Sequence, residues 1–287
     1  MLPEVQFKPV KAMGRTDQVF DIDCVSDFET RQKHIDNAIA RDLPRVITRK
    51  RRKGKVAVVA SGPSVGDYVD LLKSWDGEIW GINRALEWMR HRGIKPTGFL
   101  GIDPEWFLKE CIPNIPEDVT YYLAAQVHPG VFDYLKDRNV KLWFMADGQV
   151  NLPSDAHLIY GGSTCLGRAP NLAYALGYRD VHIFGGDSSY THKQYVHGDD
   201  LPKNWVPAEI NGRIFKTQRN LIQQASEFVE QMVEWARGDD PMAVTLYGDG
   251  LMQAWYAHQC ESGCYEEYLR LCAQPQLNRK QRRAMGL

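Results

Sequence analysis

The sequence predicts an α/β protein built on a mostly parallel, Rossmann-like sheet with helices on both faces, and three observations carry that prediction. Short, wholly apolar runs such as Val-Ala-Val-Val at 56–59 have the length of buried strands rather than of helices. Segments of helical spacing separate one run from the next. A small polar or glycine residue follows nearly every run, where a strand hands the chain over to a helix. Strands that are apolar all round need cover on both sides, which a doubly covered parallel sheet supplies.

The elements follow in order. Ser26-Asp27-Phe28-Glu29 matches a capping box and opens a charged helix to about residue 40, expected as an outrigger ahead of the sheet. A strand at 56–60 ends in Ser61-Gly62-Pro63-Ser64. Helices at 65–75, 84–92, 105–111 and 130–136 then alternate with strands at 78–82, 98–102, 120–124 and 141–145. A helix lies within 166–176, its start expected nearer Pro170 because proline inside a helix removes a hydrogen bond, and a strand follows at 181–184. Segment 188–213 lacks clear periodicity and is too long for an ordinary connection, so it reads as a lid. Leu221, Ala225, Phe228, Met232 and Val233 form a helical apolar stripe suited to core packing, and a last strand at 243–247 precedes a helical end and a basic tail. The expected division is an N-terminal extension at 1–54, a nucleotide-binding transferase domain at 55–258 and a C-terminal segment at 259–287.

Composition narrows the function. With 287 residues, 44% hydrophobic, 25% charged and a formal net charge of -1, the chain is neither disordered nor collagen-like nor membrane-embedded. No run of 18 apolar residues and no leader-like segment appears, so a cytoplasmic protein without a membrane partner is expected. The six cysteines (24, 111, 165, 260, 264 and 272) do not pair into a zinc pattern and read as free thiols. Near-neutral charge leaves nucleic acid only two local anchors, Arg49-Lys50-Arg51-Arg52-Lys53 and Arg279-Lys280-Gln281-Arg282-Arg283.

In open parallel sheets ligands collect beyond the carboxyl ends of the strands. There the sequence places Ser61-Gly62-Pro63-Ser64, Asn83, Asp103-Pro104, Gln126 with His128, Asp147, Gly185-Gly186-Asp187 and Gly248-Asp249-Gly250. Gly62 permits close approach to a ligand, Pro63 fixes φ, and Ser64 stands where backbone amides meet an anion. Gly161-Gly162-Ser163-Thr164 is a second loop of that kind. Neither spells a Walker A or dinucleotide fingerprint, and no Gly-x-Ser-x-Gly, His-Glu-x-x-His or zinc-deaminase pattern occurs. The densest polar stretch runs from Gly185 to Gly198 and contains Asp187, Tyr190, His192, Tyr195 and His197, groups able to serve as a general base or to bond a leaving phosphate.

Val58 to Ser64, Ile82-Asn83-Arg84, Gly101-Ile102-Asp103-Pro104, Gly161-Gly162-Ser163 and Ala175 to Asp187, in that order, resemble the MptE-like group. That group includes 6-hydroxymethylpterin diphosphokinases and the catalytic domain of Maf flagellin glycosyltransferases. The same order is similar to the small bacterial sialyltransferases, which use CMP-sialic acid on a variant GT-A fold. The resemblance covers about 55–256 and implies a nucleotide-activated donor. It implies that Ser61, Gly62, Pro63 and Ser64 line the phosphate site, that Asn83 touches the donor, and that Gly162 and Ser163 contact the nucleotide. Gly186 and Asp187 would meet base or ribose, Tyr190 or Tyr195 the leaving phosphate, and His197, with His192 competing, would be the base. Ser61 replaces the usual asparagine before Gly-Pro-Ser. Asp103, an asparagine in the sialyltransferases, would bond a ribose hydroxyl or, in a diphosphokinase, Mg²⁺, for which Asp187 is the other candidate ligand. The leading expectation is a glycosyltransferase. Its alternatives are a Mg²⁺-dependent diphosphokinase and a non-catalytic nucleotide- or nucleic-acid-binding protein, and related architectures suggest a homo-oligomer.

Overall fold

The computed structural model describes residues 8–9, 18–19, 26–114, 116–146, 150–190, 205–236 and 240–260. Two short strands, β1 (Lys8–Pro9) and β2 (Gln18–Val19), pair antiparallel, and helix α1 (Phe28–Ala40) follows. The sheet strands are β3 (Val56–Val59), β4 (Glu78–Ile82), β5 (Gly98–Gly101), β6 (Thr120–Ala124), β7 (Asn139–Met145) and β8 (Leu158–Ile159). They are joined by α2 (Val69–Lys73), α3 (Ala85–His91) and α4 (Pro129–Tyr134), with 3-10 turns at Pro63–Tyr68 and Trp106–Cys111. Helix α5 (Cys165–Ala175) leads back to β9 (Asp180–Phe184). A hairpin of β10 (Val206–Ile210) and β11 (Arg213–Thr217) precedes α6 (Arg219–Ala236), β12 (Ala243–Leu246) and α7 (Leu251–Gln259).

Every neighbouring pair in the eight-stranded sheet is parallel, in the order β12-β9-β3-β4-β5-β6-β7-β8. The chain therefore advances to one side of β3 and later returns to build the other side. The loops after β3 and β9 leave in opposite directions, which opens the switch-point crevice of such sheets. Strand pleating divides the core: Val56 and Val58 join the larger cluster with residues of α5 and α6, while Ala57 and Val59 join the smaller one with Leu72, Trp88 and Met89. Both faces are thus buried, as continuous apolar strands require.

Several elements depart from the sequence reading. Asp27, not Ser26, caps α1 by accepting the Thr30 N–H at 2.8 Å. Helix α1 does not stand off as an outrigger: it packs on α4 through a face with Arg31, Ile35 and Ala38 buried. The chain after it runs beside β7, where Val46 N–H bonds Leu142 O at 2.7 Å and Leu142 N–H bonds Pro44 O at 2.8 Å. Helix α5 starts at Cys165, capped by the Thr164 side chain, and carries Pro170 in its interior. Nine of its eleven residues are buried, so packing outweighs the one hydrogen bond that proline removes. The expected lid ends in the β10–β11 hairpin, turned by Asn211 and Gly212 at φ 50° and 77°. Among the described residues no helix is long and apolar enough to cross a membrane.

Candidate functional site

The carboxyl ends of β3, β9 and β12 meet around Asp187. This residue is 1% exposed, and its Oδ2 accepts the Ser64 N–H at 2.9 Å. Gly62 N–H bonds Gly185 O at 2.8 Å, so the loops after β3 and β9 are tied backbone to backbone. Only glycine fits at 62, because a Cβ there would run into Gly185 O and Asp187 Oδ2. Gly250 packs equally closely on Asp187, and the N–H groups of Leu251 and Met252 at the start of α7 are taken by Ser189 Oγ (3.1 Å) and Asp187 O (3.2 Å). Asp187 Oδ1 is buried with no hydrogen-bond partner. Burial raises the Asp187 pKa, offset in part by Ser64, with Asp249 and Asp67 adding to the rise.

The second glycine loop carries an analogous contact. Glu227 of α6, 4% exposed, accepts Ser163 N–H at 2.7 Å and Ser163 Oγ–H at 2.8 Å on Oε2, and Gln223 Nε2–H at 2.8 Å on Oε1. Gly162 lies against that carboxylate, which a Cβ would approach to 2.6 Å. Both loops thus present a serine amide to an anion, as the sequence suggests, and in both the anion is the protein's own side chain.

Between these two contacts the rim is open. Ser61 after β3 and Asn83 after β4 are half-buried, and neither side chain bonds another described residue. Asn83 sits at φ 50°, a left-handed backbone that asparagine tolerates and that turns the chain sharply from β4 into α3. Asp103 after β5 accepts Glu105 N–H at 2.9 Å on Oδ1, and burial raises its pKa. After β6, Gln126 is buried and donates to Ile102 O at 2.8 Å. His34 of α1 reaches this point, its Nδ1 lying 3.1 Å from Gln126 O. The sequence reading gave His34 no role; its nearness to the rim depends on how α1 packs, which spacing alone does not reveal.

Of the expected site residues, Ser61, Gly62, Pro63, Ser64, Asn83, Asp103, Gly186 and Asp187 lie on neighbouring strand ends, and Gly162 and Ser163 lie in the loop before α5. Tyr190 is half-buried and donates its hydroxyl to Gln218 Oε1 at 2.9 Å. His192, Tyr195, His197 and Asp147 fall outside the described residues, as does the tail at 279–283. The other basic run, 49–53, precedes β3 and is pinned to the carboxyl end of α5 by Arg49 N–H to Ala175 O and Arg52 N–H to Gly177 O. It therefore occupies the edge of the sheet opposite the open rim. Cys111 and Cys165 are buried free thiols, and Cys260 is buried as well. Mg²⁺ at Asp103 finds little support: one oxygen is already bonded, and no group of three or more His, Cys, Asp or Glu side chains among the described residues is placed to hold an ion.

Parallel topology, a switch point and a polar rim define an α/β protein of the open, doubly covered parallel-sheet class. The chain belongs to the MptE-like family: the family model described as 6-hydroxymethylpterin diphosphokinase MptE-like matches residues 31–193. Among solved structures, the Maf glycosyltransferase from Magnetospirillum magneticum AMB-1 shares the fold at 16% identity and a TM-score of 0.60, over 86% of this chain and 44% of that one. This chain thus spans less than half the length of that protein. No curated protein sequence matches.

Proposed function

We propose that this protein is a nucleotide-dependent group transferase that moves a sugar from a nucleotide-activated donor to an acceptor hydroxyl. The observation that carries the reading is the strip from Ser61 to Asn83 to Asp103, at the ends of three adjacent strands beside the switch-point crevice, where the Ser61 and Asn83 side chains bond no other described residue and Asp103 Oδ1 accepts only Glu105 N–H. In this reading the loop Ser61-Gly62-Pro63-Ser64 and Asn83 face the donor's phosphates and stabilise the charge that grows on the leaving oxygen. Asp103 bonds a donor hydroxyl, since a half-buried carboxylate would repel a phosphate placed against it. Asp187 acts through Ser64, whose amide it positions, and Gly186 carries the loop past the crevice. Gly162 and Ser163 frame the far side, with Glu227 fixing Ser163. Tyr190, with Tyr195 beyond the described residues, bonds the leaving phosphate, and a histidine takes the acceptor proton, His197 and His192 being the candidates that the sequence offers for it.

A second reading, diphosphate transfer from ATP to a hydroxymethyl heterocycle, is favoured by the description of the matching family model. Its transition state spreads charge over phosphoryl oxygens and calls for Mg²⁺ carried largely by the nucleotide. A nucleic-acid role would use the basic run at 49–53, which lies at the opposite edge from the rim. Thermal shift against CMP, UDP, GDP and ATP, each with and without Mg²⁺, tests these readings. Stabilisation by a free nucleoside mono- or diphosphate without metal is expected. Stabilisation only by ATP with Mg²⁺ would replace the first reading with the second, and no response to any nucleotide would remove both.

A further inference from the structure

Beyond Asp103 the rim carries two imidazoles of opposite hydrogen-bonding character. His34 Nδ1 lies 3.1 Å from Gln126 O, and a carbonyl can only accept, so Nδ1 carries the proton and Nε2 presents a lone pair. His128 is the reverse: its Nδ1 accepts Gly130 N–H at 3.1 Å, so in the neutral ring Nε2 carries the proton and donates. The rings stand edge to face with centroids 5.1 Å apart, both half-buried. Neither Nε2 bonds another described residue. Trp106, 43% exposed, sets its ring edge to His128 at 5.1 Å and rests on Gly130, where any Cβ would collide with it.

A lone pair beside an N–H is what a hydroxyl group needs, one to take its proton and one to bond its oxygen. An exposed indole next to them suits the apolar face of a ring. Three strand spacings, roughly 14 Å, separate β3 from β6. A donor whose phosphates sit at the switch-point crevice and whose body lies along the rim therefore directs its far end toward this pair. We propose that His34, His128 and Trp106 form the acceptor subsite, which receives a ring-borne hydroxyl, and that His34 Nε2 is its general base. The base role rests on the transferase reading above; the hydroxyl subsite does not.

The step balances. The acceptor O–H bond breaks and its proton passes to His34 Nε2, giving an imidazolium that later releases it to water. The freed oxygen pair forms the bond to the transferred group. The bond from that group to the donor's phosphate oxygen breaks, and its electron pair leaves on the phosphate. Burial lowers the His34 pKa, opposed in part by the Gln126 bond, with His128 adding to the fall and Glu105 to the opposition, so the ring is neutral at pH 7 and free to take a proton.

The full chain is titrated with methyl β-galactoside, as a sugar hydroxyl, and with 6-hydroxymethylpterin, as a hydroxymethyl heterocycle, while proton–nitrogen spectra follow the histidine rings. The expected result is a free His34 ring protonated on Nδ1, ring shifts at His34 and His128 with one of the probes, and binding weakened about tenfold by Trp106→Ala with nucleotide binding unchanged. His34→Asn preserves the bond to Gln126 O but has no Nε2, and should lower kcat by about 10² to 10⁴-fold and flatten the acid limb of the pH profile. His128→Asn still caps α4 and should mainly raise the acceptor KM. No ring shift with either probe overturns the subsite. Wild-type turnover by His34→Asn alongside loss of turnover in His197→Ala overturns the base assignment. Ring shifts in a chain that binds no nucleotide would uphold the hydroxyl subsite and remove the transferase reading instead.

Discussion

The two glycine loops differ in how completely each serves its internal carboxylate. Glu227 has hydrogen bonds on both oxygens, from Ser163 and Gln223, although it is buried. Asp187 has one on Oδ2 and a second oxygen buried without a partner. A satisfied carboxylate is a joint of the fold, whereas a half-satisfied one opposes its own burial. The comparison marks the α5 loop as structural and the β3–β9 crevice as the place where the fold tolerates a cost beside the open rim.

Five substitutions, one of them a control, break or sharpen that contrast. The largest effect is expected at the crevice: Gly62→Ala forces a methyl into the Gly185 carbonyl and should cost about 3 kcal/mol by urea unfolding. Gly66→Ala, with nothing within 4 Å of the added methyl, should be neutral or gain about 0.5 kcal/mol. Next comes Glu227→Ala, which leaves Ser163 N–H without its charged acceptor and should cost about 2 kcal/mol; a loss as small as that of a surface mutation would deny it the role of a joint.

Asp187→Asn should act in the opposite direction. The folded-state pKa of Asp187 is raised, so the stability contributed by its protonated form is fully present below the ordinary value of 3.8 and is lost as pH rises through the folded value. At pH 7 the amide should therefore be more stable by about 1 kcal/mol, roughly 2–4 °C in Tm, with the gain shrinking toward pH 4. A destabilised amide at pH 7 would mean that the charge itself holds the crevice together. The smallest effect is expected away from both loops, at His34. Its folded-state pKa is lowered, so wild-type stability should begin to fall as pH drops below the ordinary value of 6.5, and His34→Asn should flatten that part of the curve in denaturant titrations.

The sheet was legible in the sequence because its strands are apolar on both faces and end in turn residues. Residues 56–59, 78–82 and 120–124 all became strands within a residue of the expected ends. Two-residue β8 was not legible, since Leu158–Ile159 is too short to show a period. The β10–β11 hairpin had a signal that went unread: Asn211-Gly212 between Val-Pro-Ala-Glu-Ile and Arg-Ile-Phe-Lys-Thr is the pairing that left-handed two-residue turns prefer. The strand-end placement of Ser61, Asn83, Asp103 and Asp187 follows from sheet topology and was legible. Glu227 and His34 were not, because each reaches its place through helix packing between segments 64 and 92 residues apart in the chain.

The stretch ahead of the sheet does more than lead into it. Helix α1 delivers an imidazole to the strand ends, and within twenty residues the same chain is fastened to β7 and then to the far end of α5. A shortened version starting at the first sheet strand would keep every crevice loop and yet lose that imidazole, so on the proposed reading it would grip a donor with nothing to prepare the molecule that receives its cargo.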